Sequence, residues 1–197
     1  MSPTDQRDKA SRLARRSPEQ ALKVARAIAD PWFRAQALAH VARYSNSVCS
    51  IARESARAAQ QRDDDFKRSA VRSWEVAAMA ETGHLKEARH VLRNATSQAL
   101  LATPASSRCE ALILLLHAAA RINVEETIRV AEVLRKRLVV DSHWRCIRAV
   151  KDAAAILSGL DVETANRFVN SIPEERIRRK CIAAVRDGAA EPRSFFW

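Results

Sequence analysis

Five arginines stand at a recurring place in this chain. Arg34, Arg68, Arg108, Arg145 and Arg178 are separated by 34, 40, 37 and 33 positions. A guanidinium is a planar fork of donors that matches the paired oxygens of a phosphate or a carboxylate. A row of them is a candidate reader of anionic groups. Aromatic residues accompany three of the five: Trp32 lies two before Arg34, Phe66 two before Arg68, and Trp144 one before Arg145. Rings beside guanidiniums can stack nucleobases. The same residues also have a plainer use. Each Arg can pair with an acid or hold a neighbouring carbonyl where two structural units meet, and each ring can pack at the start of a helix. Both readings stand at this point, and the candidate binding residues are Arg34, Arg68, Arg108, Arg145, Trp32 and Trp144.

Other chemistry has less support. His143 and Cys146 are three apart and share a helix face, as a thiol or metal site would need, but no second pair joins them. His84 and His90 are six apart and do not share a face. The stretch "RDDDF" at 62–66 gathers three acids, which a helix start explains through its free N–H groups and dipole. There is no GxSxG, phosphate-binding loop or HExxH. No catalytic residue, metal or cofactor is assigned, and a non-enzymatic protein is expected. The four cysteines show no CxxC spacing. They are expected to be reduced packing residues, with Cys109, Cys146 and Cys181 near one repeat position.

Helices must position these side chains. The chain has three Gly and six Pro in 197 residues, and Ala, Leu, Arg and Glu dominate. No alternating run of Val, Ile and Thr marks a strand. After three of these Arg residues the apolar residues fall on one helix face: Ala37, Leu38 and Val41 after Arg34; Ala111, Leu112 and Leu115 after Arg108; Cys181, Ile182 and Val185 after Arg178. The other two copies slip by one residue, with Ala70, Val71 and Trp74 counted from Lys67 and Ala149, Val150, Ala153 and Ala154 from Cys146. Between these helices lies a second set. "SPEQALKVARAIAD" starts with Ser17 as N-cap and Gln20 in the capping-box position, "NVEETIRVAEVLRKRL" starts at Asn123, and "DVETANRFVNSI" starts at Asp161. The polar turns "YSNS", "ETGH", "INVE" and "SGLD" separate members of a pair. A single pair cannot bury its apolar stripe, so the pairs must stack.

An acid precedes the Arg by four positions in Asp30/Arg34, Asp64/Arg68, Asp141/Arg145 and Glu174/Arg178, with Pro104 in the acid's place before Arg108. This pattern, over roughly residues 17–190, resembles the HEAT-like helical repeat family. The resemblance implies an all-α fold: an α-α superhelix, a right-handed solenoid of about five helical hairpins. It implies that acid and Arg align into a ladder, and that the protein is a binding scaffold. Some basic members of that family act on DNA bases or chaperone cofactors. One domain is expected over 1–197, with residues 1–16 as an N-terminal cap or flexible segment and 188–197 as a C-terminal tail.

The formal charge is +11 and the pI about 10.4. Such a balance suits nucleic acid, acidic proteins or anionic surfaces without choosing among them. No segment concentrates it into a basic arm. The N-terminus lacks a secretory signal pattern and the longest apolar stretch, 111–120, is too short to span a bilayer, so a cytoplasmic location is expected. The ending "EPRSFFW" places Phe195, Phe196 and Trp197 after a helix-breaking Pro. They are expected either to cover the open face of the last pair or to dock into a partner. The sequence thus points first to a protein- or peptide-binding scaffold, and second to a basic solenoid that binds nucleic acid, with a DNA-base-directed enzyme as its extreme form.

Overall fold

The computed structural model describes residues 1–61, 65–138, 143–188, 190 and 195, and of residue 65 the backbone alone. The described residues form helices and no strand. In order they are α1 (Pro3–Ala14), α2 (Pro18–Arg26), α3 (Pro31–Ala42), α4 (Val48–Gln60), α5 (Asp65–Glu81), α6 (Leu85–Ala99), α7 (Ala105–Ala119), α8 (Val124–Leu138), α9 (Trp144–Leu160), α10 (Val162–Asn170) and α11 (Glu175–Arg186).

The chain divides into two compact units. One comprises Met1–Ala95 together with Phe195, the other Thr96–Arg193. In the first, α3 packs on α1, α2, α4 and α5, α1 packs on α2, and α4 on α5. In the second, α9 packs on α7, α8, α10 and α11. The central helices are correspondingly apolar. Every residue from Ala35 to Ala42 of α3 is buried, including Gln36 and His40. Alanine is the commonest core residue, with Leu38, Leu112, Leu115, Leu116, Ile156 and Phe168 as the large fillers. Small side chains at the contacts let helix backbones approach closely.

Short polar residues start the helices by satisfying N–H groups that have no partner inside the helix. Asp30 accepts hydrogen bonds from the N–H groups of Trp32 and Phe33 at 2.8 and 3.3 Å. Asn123 accepts from Glu126 and Asp161 from Glu163. Ser17 holds the N-cap position of α2, but its side chain makes no capping bond, so the expected capping box is absent there. Instead Ser2 and Asp5 form one at α1, a helix that the sequence reading left as a cap or flexible segment. Gly83 ends α5 with φ +84, and the His84 N–H reaches back to the Met79 carbonyl. That left-handed turn favours a residue without Cβ.

The cysteines require a correction. Cys109 and Cys146 are not reduced: they form a disulfide between the neighbouring helices α7 and α9, with Cα atoms 5.4 Å apart. The packing of α7 on α9 brings together two residues that the sequence keeps far apart. Cys49 and Cys181 are free, and burial pushes the Cys181 thiol up to about 11.

The bond closes a loop across a sequence separation of 37. Cross-links of this span stabilise by about 2–4 kcal/mol. Reduction with dithiothreitol, or Cys109→Ser, should therefore lower hydrogen-exchange protection in α7 and α9 while leaving α3 as it was. Unchanged protection in α7 would show that the bond contributes nothing to this unit.

Candidate functional site

Three of the recurrent arginines share one contact. Arg34, Arg108 and Arg178 are each the fourth residue of their helix (α3, α7 and α11). Each reaches back six residues to a backbone carbonyl in the preceding turn. Arg34 Nη1 donates to Ile28 at 3.2 Å, Arg108 Nε to Ala102 at 3.1 Å and Arg178 Nη1 to Ile172 at 3.1 Å. The three acceptor residues are fully buried. Arg34 uses another arm of its fork on Gln61 Oε1 at 2.6 Å, at the end of α4. These guanidiniums hold the turn that feeds one helix into the next. Arg68 is also fourth in its helix, but residue 62, its counterpart acceptor, lies outside the described residues, as do Asp64 and Asp141.

Arg145 differs. It is the second residue of α9, its Nε lies 3.5 Å from Glu110 Oε1 on α7, and its guanidinium sits 4.8 Å from the centre of the Trp144 ring. The two tryptophans are also unlike each other. Trp32 is half-buried and packs against Trp74 of α5 with ring centres 5.4 Å apart. Trp144 is 57% exposed. Phe66 is half-buried at the start of α5. Phe195 is buried and groups with the first unit. Phe196 and Trp197 lie outside the described residues.

A groove of about 480 Å³ opens between α9 and α11, lined by Trp144, Ile147, Arg148, Lys151, Lys180 and Ala183, with Asp187 at one edge. Positions 144, 147, 148 and 151 of α9 fall at intervals of three, four and seven from the first, one face of a helix. The same holds for 180, 183 and 187 of α11. Ile147 and Ala183 are half-buried, whereas Trp144, Arg148, Lys151 and Lys180 are exposed. Among the described residues Arg148 has only a long ion pair to Asp152 at 3.7 Å, and Asp187 is engaged by Arg186 at 3.3 Å. Lys151 and Lys180 make no ion pair among the described residues. Burial raises the Asp152 carboxyl above its ordinary range, against the pull of Arg148 and Lys151. The groove can hold an anionic ligand with an apolar part.

His143 and Cys146 form no metal pair. Cys146 is in the disulfide, and His143 Nδ1 accepts the Arg145 N–H at 3.2 Å as the N-cap of α9. Among the described residues no group of three or more His, Cys, Asp or Glu could hold a metal ion. No helix among them is long and apolar enough to cross a membrane. No family model, curated protein or solved structure matches this chain. The groove and its side chains therefore carry the functional argument alone.

Sequence reasoning passed over Arg148, Lys151 and Lys180. Their signal was available, because Trp144, Arg148 and Lys151 follow a four-three spacing that marks a common face. It also passed over two buried ionisable residues of the first unit. Glu75 is 1% exposed, and burial pushes its carboxyl up to about 7 against the opposing pull of Arg72 and Arg53. His40 is 3% exposed, and burial, helped by the Arg43 charge, depresses its imidazole to about 4.

Two expectations follow from these contacts. Replacing Arg34, Arg108 or Arg178 with Met leaves a buried carbonyl without its charged donor. Each change should cost about 1–3 kcal/mol in urea unfolding, since hydrogen bonds to charged groups have that worth. Variants as stable as the parent would remove the carbonyl contact from the account. The second concerns pH. Folded Glu75 holds its proton up to about 7, whereas the unfolded carboxyl loses it near 4.5, so Glu75 makes stability fall as pH rises across that window. Folded His40 refuses a proton that the unfolded ring takes near 6.5, so His40 makes stability rise as pH rises from about 4 to 6.5. The two slopes oppose each other. Glu75→Gln should leave a protein that is stabilised on raising pH from 5 to 6.5, and His40→Gln one that is destabilised. Identical pH profiles for both variants would contradict this.

Proposed function

We propose that this chain is a non-enzymatic helical-repeat scaffold that binds an acidic segment of a partner protein in the groove between α9 and α11. One observation carries the reading: a groove that sets Trp144, Ile147 and Ala183 beside Arg148, Lys151 and Lys180. An apolar side chain flanked by carboxylates complements it, the apolar part leaving water and the carboxylates meeting the rim. The net charge of +11 steers an acidic partner towards the chain from a distance.

The scaffold part of the proposal is a right-handed solenoid of stacked helical pairs of the HEAT-like kind. Support comes from within each unit, where a helix packs on its successor and on the one after, as α3 does on α4 and α5, and α9 on α10 and α11. The recurrent Arg-to-carbonyl contact adds a structural repeat to the sequence repeat. If the protein works in the cytoplasm, burial of Cys109 and Cys146, each 1% exposed, is what keeps reducing thiols from the disulfide.

One feature favours a second reading. Trp144 is exposed beside Arg145, a pairing that can stack a base and neutralise a phosphate, as single-strand binding requires. A titration separates the two. A peptide with one Leu between Glu residues should bind saturably, reported by Trp fluorescence, and a Lys151→Glu, Lys180→Glu double variant should lose it by about tenfold or more. Equal binding of an all-Glu peptide of the same charge would overturn the apolar anchor. Tighter binding of oligo-dT, falling with log salt by about 0.7 per phosphate and lost in Trp144→Ala, would replace the protein partner with a single strand.

A further inference from the structure

A second cavity, of about 450 Å³, opens in the first unit between α4 and α5. Its α4 wall is a stripe of Ser50, Arg53, Arg57 and Gln60, at intervals of three, four and three, hence one helix face. Arg53 and Arg57 are exposed, and neither makes an ion pair or hydrogen bond among the described residues. Two nearby arginines are committed. Arg26 is tied by both arms to Glu54 at 2.8–3.3 Å, and Arg43 pairs with Glu81 at 2.6 Å. The α5 wall supplies Arg72 and Glu75. Arg72 Nε lies 3.1 Å from Glu75 Oε2, yet neither atom completes a well-formed hydrogen bond, and both are buried.

We propose that this cavity binds a tetrahedral oxyanion of the phosphate monoester class, held by Arg53, Arg57 and Arg72. Arg53 and Arg57 are four residues apart, about 6 Å along the helix axis. Two forks at that spacing can grip different oxygens of one tetrahedral group, and Arg72 can meet a third from the opposite wall. A single carboxylate has two oxygens and would leave at least one fork empty. Charge agrees with shape. Above pH 7, where Glu75 is ionised, it offsets one of the three guanidiniums, which leaves an excess of two for a group of charge near −2. Ser50 and Gln60 lie on the same stripe and extend it with neutral donors. The open side of the cavity leaves room for whatever the phosphate is esterified to. This site is independent of the α9–α11 groove and shares no residue with it.

Calorimetry with inorganic phosphate at pH 8 and constant ionic strength tests the proposal. The intact chain should bind one phosphate saturably, while acetate under the same conditions gives no saturable heat. Arg57→Gln and Arg53→Gln, both on the exposed wall, should each weaken phosphate binding by about tenfold. Glu75→Gln changes no exposed atom and removes a negative charge beneath the site, so it should tighten binding by roughly threefold or more. Absence of saturable binding in the millimolar range would overturn the site. So would phosphate binding that both Arg variants retain, acetate binding as tight as phosphate, or a Glu75→Gln variant that binds no tighter.

Discussion

A guanidinium that reaches back to a buried carbonyl fixes how one helix enters the next. The turns before α3, α7 and α11 each leave a carbonyl at a fully buried residue, Ile28, Ala102 or Ile172. A carbonyl without a partner there would cost about as much as a lost hydrogen bond. The fourth residue of the following helix lies within a long side chain's reach, and Arg adds to that length a charge it does not lose and a planar fork of five donors. Its aliphatic stem covers apolar surface while its head remains near water. The turn and the helix it launches thus become one object. Of the groove walls, α11 is launched from such a joint.

This division of labour separates two populations of cations that composition lumps together. Some, such as Arg34, Arg108 and Arg178, are part of the backbone's hydrogen bonding. Others, such as Arg26, Arg43 and Arg135, tie helices or their ends together, Arg135 by reaching Glu132 and the Ser171 carbonyl. Others again make no ion pair among the described residues, and of these Lys151 and Lys180 line one groove and Arg53 and Arg57 another. A net charge of +11 therefore sums cations with different duties.

Helical periodicity made the elements legible, because apolar residues at three and four intervals leave no strand reading of stretches such as 35–42 or 111–119. The repeat of Arg was legible too, and so was its choice between ligand and carbonyl, but nothing in the sequence weighs those alternatives. The acceptor is a main-chain atom and has no residue type to search for. Trp32 and Trp144 looked equivalent because they precede an Arg. Their helices start at different offsets, however, so one ring turns against Trp74 and the other faces solvent. The disulfide was hidden for a related reason. Cys109 and Cys146 are far apart in the chain, and only the pairing of α7 with α9 makes them neighbours. Glu75 was invisible because a lone Glu in an amphipathic helix ordinarily faces water, and its burial depends on how α4 and α5 meet.

The alanine-rich core has an evolutionary consequence. In a core built from Leu and Phe, the common damaging replacement is a smaller residue that leaves a void. Here most interior positions are already near the lower limit of size, so shrinkage has little left to remove. Growth is the hazard, since an added methylene between closely approached helices forces backbones apart. Such a lineage can exchange surface charges freely and so acquire or lose binding faces. Its interior can change only through paired substitutions that enlarge one helix while trimming its neighbour. Variation among descendants of this chain should accumulate on the groove walls, above an interior that drifts slowly.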